Sequence, residues 1–145
     1  MTFSSSHLRW CPLFFGAALL TACASTVVPD HQVEWVQPKL KPSVGAPSQD
    51  AGSLIVKRDA GGGTGAVGCN HRIQLDGEPI ADLMPGQGVK IFAPAGRHVV
   101  GLTFTAFLCN TGESALSVNL SAVEPTILRT ITSPDNRGQI VPSAR

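Results

Sequence analysis

Two cysteines, two histidines and one glycine string are the residues of this 145-residue chain whose types and spacing could do chemistry. Cys69 and Cys109 can form one disulfide, remain as buried thiols, or join His71, His98 and Asp76 in a metal site. The metal reading asks His71 and His98 to approach each other across paired strands, with Cys69 or Asp76 completing the set. Those spacings match no standard zinc pattern, and a disulfide would consume both thiols, so a surface or turn-packing role for each histidine is expected and no metal. Gly63-Thr64-Gly65-Ala66-Val67-Gly68 fits a G-x-G-x-x-G string. A dinucleotide site needs a helix starting on such glycines, with its N-terminus facing the pyrophosphate. Here Cys69-Asn70-His71-Arg72-Ile73 leads into a strand, and no Lys-Ser/Thr pair follows as in a phosphate-binding loop. The string reads as a loop held by Cys69, and neither nucleotide nor any other cofactor is expected. Gly65 with Asn70, His71 and Arg72 forms instead a candidate partner-facing patch. Ser114, Ser117 and Ser121 lack a nucleophile elbow, and Glu78 and Asp82 share a hairpin arm without an evident pocket, so no catalysis is expected.

The elements that must position these residues are strands. From Ser53 onward the apolar residues recur with period two. Leu54 and Val56 alternate in a first strand that closes at Lys57 and Arg58. Residues 70–76 place Ile73 and Leu75 on one face, and Asp76-Gly77 is a hairpin signal because both positions tolerate positive φ. Residues 78–83 make the return arm. Pro85-Gly86 turns into 89–92, and Pro94-Ala95-Gly96 turns into a long strand over 97–107. Residues 115–122 carry Leu116, Val118 and Leu120 on one face, and Glu124-Pro125 turns into 126–132, where Ile127, Arg129 and Ile131 oppose Leu128 and Thr130. About seven strands with short turns and no helical repeat predict an all-β fold, a small antiparallel β-sandwich over 53–133, with 134–145 as a tail.

Eleven basic residues against ten acidic ones leave a formal net charge of +1, which gives no footprint for nucleic acid. Residues 1–22 carry Arg9 and then an apolar run from Leu13 to Leu20. About ten apolar positions suit the core of an export signal and are too few for a resident membrane span. Cys11 leaves with that segment. An exported domain then retains Cys69 and Cys109, and one disulfide is the simplest fate for them in an oxidising compartment, with free thiols or a partial metal site as the alternatives. Residues 23–52 hold Pro29, Pro38, Pro42 and Pro47 and read as a tether with an end-to-end distance on the order of 30 Å. Within it, residues 32–36 alternate Val33 and Trp35 with polar neighbours and are expected to dock as an edge strand.

Leu20-Thr21-Ala22-Cys23 resembles the bacterial lipobox, in which the cysteine receives diacylglycerol and further acyl chains such as palmitate. No aspartate follows at Ala24 or Ser25, and by the same resemblance the protein passes to the outer membrane, on its periplasmic side. The run of Ile73, Leu75, Asp76 and Gly77, then Pro85-Gly86, then Pro94, Gly96, His98 and Val99 resembles the PEGA-type β-sandwich repeats. It is also similar to small bacterial lipoproteins that pair a cysteine before the DG strand with one after the PGH strand, as Cys69 and Cys109 would be. These resemblances imply a membrane-anchored binding or scaffolding module of the cell envelope, with an envelope protein or cell-wall partner. An inhibitor, immunity or pilot protein acting through a protruding loop at 59–68 is the alternative. An enzyme would need a pocket with convergent polar groups.

Overall fold

The structure, a computed structural model, describes residues 25–39, 47–61, 69–105, 109, 112–133 and 135–143. The segment expected to be an export signal, the lipobox-like run with Cys23, and the glycine string with Gly65 lie outside the described residues. What is described is an all-β sandwich: β1 (Glu34–Val36), β2 (Ala51–Arg58), β3 (His71–Leu75), β4 (Glu78–Leu83), β5 (Gln87–Pro94), β6 (Gly96–Phe104), β7 (Ser114–Leu120), β8 (Thr126–Thr132) and β9 (Gly138–Pro142). One sheet runs in the order β1-β5-β2-β8-β9 and the other β4-β3-β6-β7.

The strands follow from the period-two pattern. Leu54 and Val56, Ile73 and Leu75, Val89 and Ile91, Val100 and Leu102, Leu120, Leu128 and Ile140 interleave in one core between the sheets. The turns obey the residues that occupy them. Asp76 (φ 51°) and Gly77 (φ 84°) both take the left-handed region, as a two-residue hairpin between β3 and β4 demands. Met84-Pro85-Gly86-Gln87 closes with a Gln87 N–H to Met84 C=O bond of 3.0 Å, with proline fixing the second position and Gly86 (φ 84°) supplying the third.

The structure corrects the sequence reading in three respects. There are nine strands among the described residues, not seven, because β9 lies in the segment read as a tail and buries Ile140 against the core. Two pairings are parallel, β2 with β8 and β1 with β5. The chain reaches β8 from the far end of β7 through the Ser121 turn, so β8 must run in the direction of β2. The tether is docked over residues 25–39. Thr26 bridges Ala60, Val28 and Val33 are buried, β1 pairs with β5 as the edge strand expected there, and the Lys39 N–H donates to the Ile80 carbonyl at 2.7 Å. This strap runs along the first sheet and crosses to the edge of the second, because its valines are drawn from water by the apolar edge beneath them.

The registers define two ends. Arg58, His71, Leu83, the Met84 turn, Thr132 and the N-terminal strap gather at one, the Arg58 end. The Asp76 hairpin, Gly96 and the Ser121 turn lie at the other, the Asp76 end. Near the latter the sheets approach closely at Gly52, where an added Cβ would stand 2.6 Å from Leu120 Cβ and 3.0 Å from the Leu120 carbonyl carbon. Backbone cannot yield there as a flexible side chain could. Gly52→Ala is therefore expected to lower the unfolding free energy by about 1 to 3 kcal/mol, measured by chemical denaturation.

Candidate functional site

The polar residues that the sequence singles out are distributed by strand phase. His71 is in phase with Ile73 and Leu75, so its ring points into the core and is 0% exposed. Its Nδ1 lies 2.9 Å from Thr130 Oγ1 and its Nε2 3.0 Å from Thr132 Oγ1, across the gap between the sheets. A neutral ring satisfies both contacts, donating through one nitrogen and accepting a hydroxyl at the other. Burial, with the neighbouring Arg58 charge, pushes its pKa down to about 3. Phe104 meets the ring edge-on at 5.2 Å.

Arg58 is in phase with Leu54 and Val56 and is 1% exposed. Its Nη1 donates to the carbonyls of Cys69 and Leu83, each at 2.7 Å, while Nη2 has no partner among the described residues. Burial lowers its pKa to about 10, which still leaves it a cation at neutral pH. The next residue, Asp59, is also buried and takes a bidentate bond from Arg129 and a 3.2 Å bond from Ser25 Oγ. These groups bind each other and hold the Arg58 end together.

The expected partner-facing patch is thus not formed as a unit. His71 is enclosed, since a histidine in phase with the apolar face must enter the core. Asn70 is half-buried, with its carbonyl accepting from the Thr105 N–H at 3.1 Å. Arg72 points outward and is paired with Asp82 at 2.9 Å, and Lys39 reaches the same carboxylate at 3.0 Å. His98 stands at the Asp76 end, so the two histidines do not meet. Among the described residues no group of three or more His, Cys, Asp or Glu is placed to hold a metal ion. Cys69 and Cys109 form a disulfide with a Cα–Cα distance of 5.8 Å, closing the open end of the β3–β6 ladder. Ser121 Oγ accepts the N–H of Val123 at 3.1 Å and caps its own turn.

Two surfaces remain open. Trp35, half-exposed, lies over Gly88, where an added Cβ would stand 3.0 Å from its ring, and borders an open groove of about 400 Å³ with Val36, Pro38, Ile55 and Lys90. The second is the outer edge of β7. The Asp76 N–H donates to the Val99 carbonyl at 2.8 Å, so odd-numbered residues of β6 turn their backbone polar groups to β3 and even-numbered ones to β7. By register, Leu116 and Val118 answer Val100 and His98. Ala115, Ser117 and Asn119 therefore present their N–H and C=O groups away from the sheet, with no strand neighbour among the described residues.

Comparison with protein-family models, curated proteins and solved structures finds no match to this chain. Sequence reasoning missed Arg58, Thr130 and Thr132, whose phase with Val56 and Leu128 was the available signal, and the Asp59–Arg129 pair, for which strand phase gave none.

Two predictions follow from these contacts. The disulfide spans 40 residues, for which the chain-entropy model gives about 4 kcal/mol, a large share of the about 5 to 15 kcal/mol of a typical domain. Cys69→Ala with Cys109→Ala should lower the melting temperature sharply, and reduction of the native chain should do the same. The second concerns His98, whose Nδ1 donates to Asp76 Oδ2 at 2.6 Å and whose Nε2 donates to the Pro94 carbonyl at 2.8 Å. Burial alone would lower its pKa, but the bonds to Asp76 and Pro94 outweigh it and raise the value above 6.5. Burial would likewise raise the Asp76 pKa, but the Val99 N–H and His98 bring it below 3.8. The His98 contribution is complete below pH 6.5 and is lost as pH rises through its folded value. That of Asp76 is complete above pH 3.8 and is lost as pH falls through its own. Asp76→Asn keeps a residue that tolerates the turn and removes the charge. NMR titration should show the His98 pKa above 6.5 in the native chain and lower in this variant.

Proposed function

We propose that the chain is a lipid-anchored binding or scaffolding module of the cell envelope, held through Cys23 at the periplasmic side of the outer membrane. The observation that carries the binding role is the open edge of β7. Natural sheets blunt their edges with charge, proline, bulges or short strands. Three of the four edges here are treated so. β4 contains Pro79, faces a register shift between Ile73 and Gln74, and is covered at Ile80 by Lys39. β9 ends in Pro142, and β1 has three residues, including Glu34. β7, by contrast, is seven residues of Ser-Ala-Leu-Ser-Val-Asn-Leu, uncharged and in unbroken register with β6. Such an edge takes an added strand through main-chain bonds, and the small side chains of Ala115 and Ser117 let it approach. The apolar run that ends in Leu20-Thr21-Ala22-Cys23 supports the anchor.

The two halves are tested separately in cells. Cys23→Ala should release the chain from membranes and abolish incorporation of labelled fatty acid; retention without label would overturn the anchor. A photo-crosslinking residue at Ala115 should give a discrete adduct with an envelope protein. Ser117→Lys, which places a charge on the edge without touching the β6 ladder, should abolish that adduct. An adduct indifferent to Ser117→Lys would show that β7 is not the binding edge.

A further inference from the structure

We infer that the Arg58 end of the sandwich seats directly on the lipid surface, so that the anchored domain stands in one orientation with its Asp76 end outward. The inference rests on acylation of Cys23 and adds to it a contact between folded domain and bilayer. Its basis is the length of chain left between the anchor and the first docked residue. Ser25 is fixed by its bond to Asp59, and Thr26 by two main-chain bonds with Ala60, of 2.7 and 2.9 Å. From Cys23 to Ser25 there are two residue steps, at most about 7 Å of extended chain. The polar headgroup layer on each side of a bilayer is itself about 5 to 8 Å deep. A cysteine held by its acyl chains at the base of that layer therefore cannot lift the Arg58 end clear of the headgroups. A free tether over 23–52 would have allowed a gap; the docked strap removes it.

The residues at this end suit such a neighbour. Val27, which follows the Thr26 bridge, is 52% exposed, and Met84 is 49% exposed in the turn that Gly86 ties to the Arg58 carbonyl at 3.1 Å. Both are large apolar side chains that water solvates poorly and an interfacial layer accepts. The neighbouring charges are already neutralised in pairs, Asp59 with Arg129, Lys57 with Asp30 at 2.5 Å and Arg137 with Asp135 at 3.1 Å. Glu34, at the start of β1, and Glu113, just before β7, are exposed acids at the same end. The end thus approaches lipid with little net charge, and its orientation is set by the short leash and the two apolar residues together. At the opposite end, Val123 is 89% exposed beyond the reach of any headgroup.

The test uses the acylated full chain in vesicles of phosphatidylethanolamine and phosphatidylglycerol. With Cys23 acylated and Cys69 bonded to Cys109, Met84→Cys or Val123→Cys supplies the single thiol for a fluorescent probe. Nitroxide on the lipid headgroups should quench the probe at position 84 several-fold more than the probe at 123. Equal quenching in a chain whose acylation is confirmed by mass spectrometry would overturn the seating and leave the anchor intact. A chain without acyl groups would remove both. A second measurement needs no substitution near the contact. Met84 is the single methionine after the export signal, and peroxide should oxidise it several-fold more slowly in the vesicle-bound chain than in soluble Cys23→Ala. Equal rates would likewise overturn the seating.

Discussion

The guanidinium of Arg58 bridges the two sheets, and the order of the whole Arg58 end depends on it. Packed sheets stand about 10 Å apart, a gap that an arginine can cross and a small polar residue cannot. From the last position of β2 it reaches the Cys69 carbonyl before β3 and the Leu83 carbonyl at the close of β4. Those are main-chain acceptors that the ends of a ladder would leave unpaired within the core. Burial first, and the neighbouring Arg58 cation second, disfavour a positive charge on the His71 ring. His71 is accordingly held neutral, and Thr130 and Thr132 complete its hydrogen bonds without adding charge. The disulfide begins one residue from His71's neighbour and fastens the same corner covalently.

The strap solves a different problem, the exposed side of a small sandwich. Its Val28 and Val33 bury against the body, β1 covers the edge of β5, and Lys39 meets both the Ile80 carbonyl and the Asp82 carboxylate. Prolines in this segment do not prevent docking, because an edge strand needs main-chain donors on one side only and the pairing is just three residues long. What they prevent is a longer strand that would itself need covering. Closure of this side and of the β9 edge leaves β7 as the place where the second sheet can still grow.

The fold was legible where one pattern decided it. Period-two alternation located seven of the strands, and Asp76-Gly77 and Pro85-Gly86 fixed their turns because the backbone there demands those residue types. β9 was obscured by Pro142 and by a single buried apolar residue, Ile140, too little for alternation to register. The parallel β2–β8 pair could not be read from either strand, since strand order is a property of the path between them. At the candidate site, the phase of His71, Arg58 and Thr130 with their apolar neighbours pointed inward. His71 had been expected in a surface or turn-packing role, and packing phase prevailed over it. Docking of residues 32–36 was readable from Val33 and Trp35, whereas the hold on Ser25 depends on Asp59, a contact between residues 34 apart that no local pattern records.

The parallel pairing of β1 with β5 has a mechanical consequence. β1 runs away from the Arg58 end, so a pull applied to the chain at Ser25 loads the strap along its own axis. The isolated Thr26–Ala60 bridge would open first, as a peel. The force then falls on the β1–β5 bonds in shear, where slanted parallel bonds share the load and must break together. Behind them the Cys69–Cys109 link removes 40 residues from the length that can be drawn out. The molecule is arranged to resist tension at its N-terminal side in stages, with the sandwich core the last part to yield.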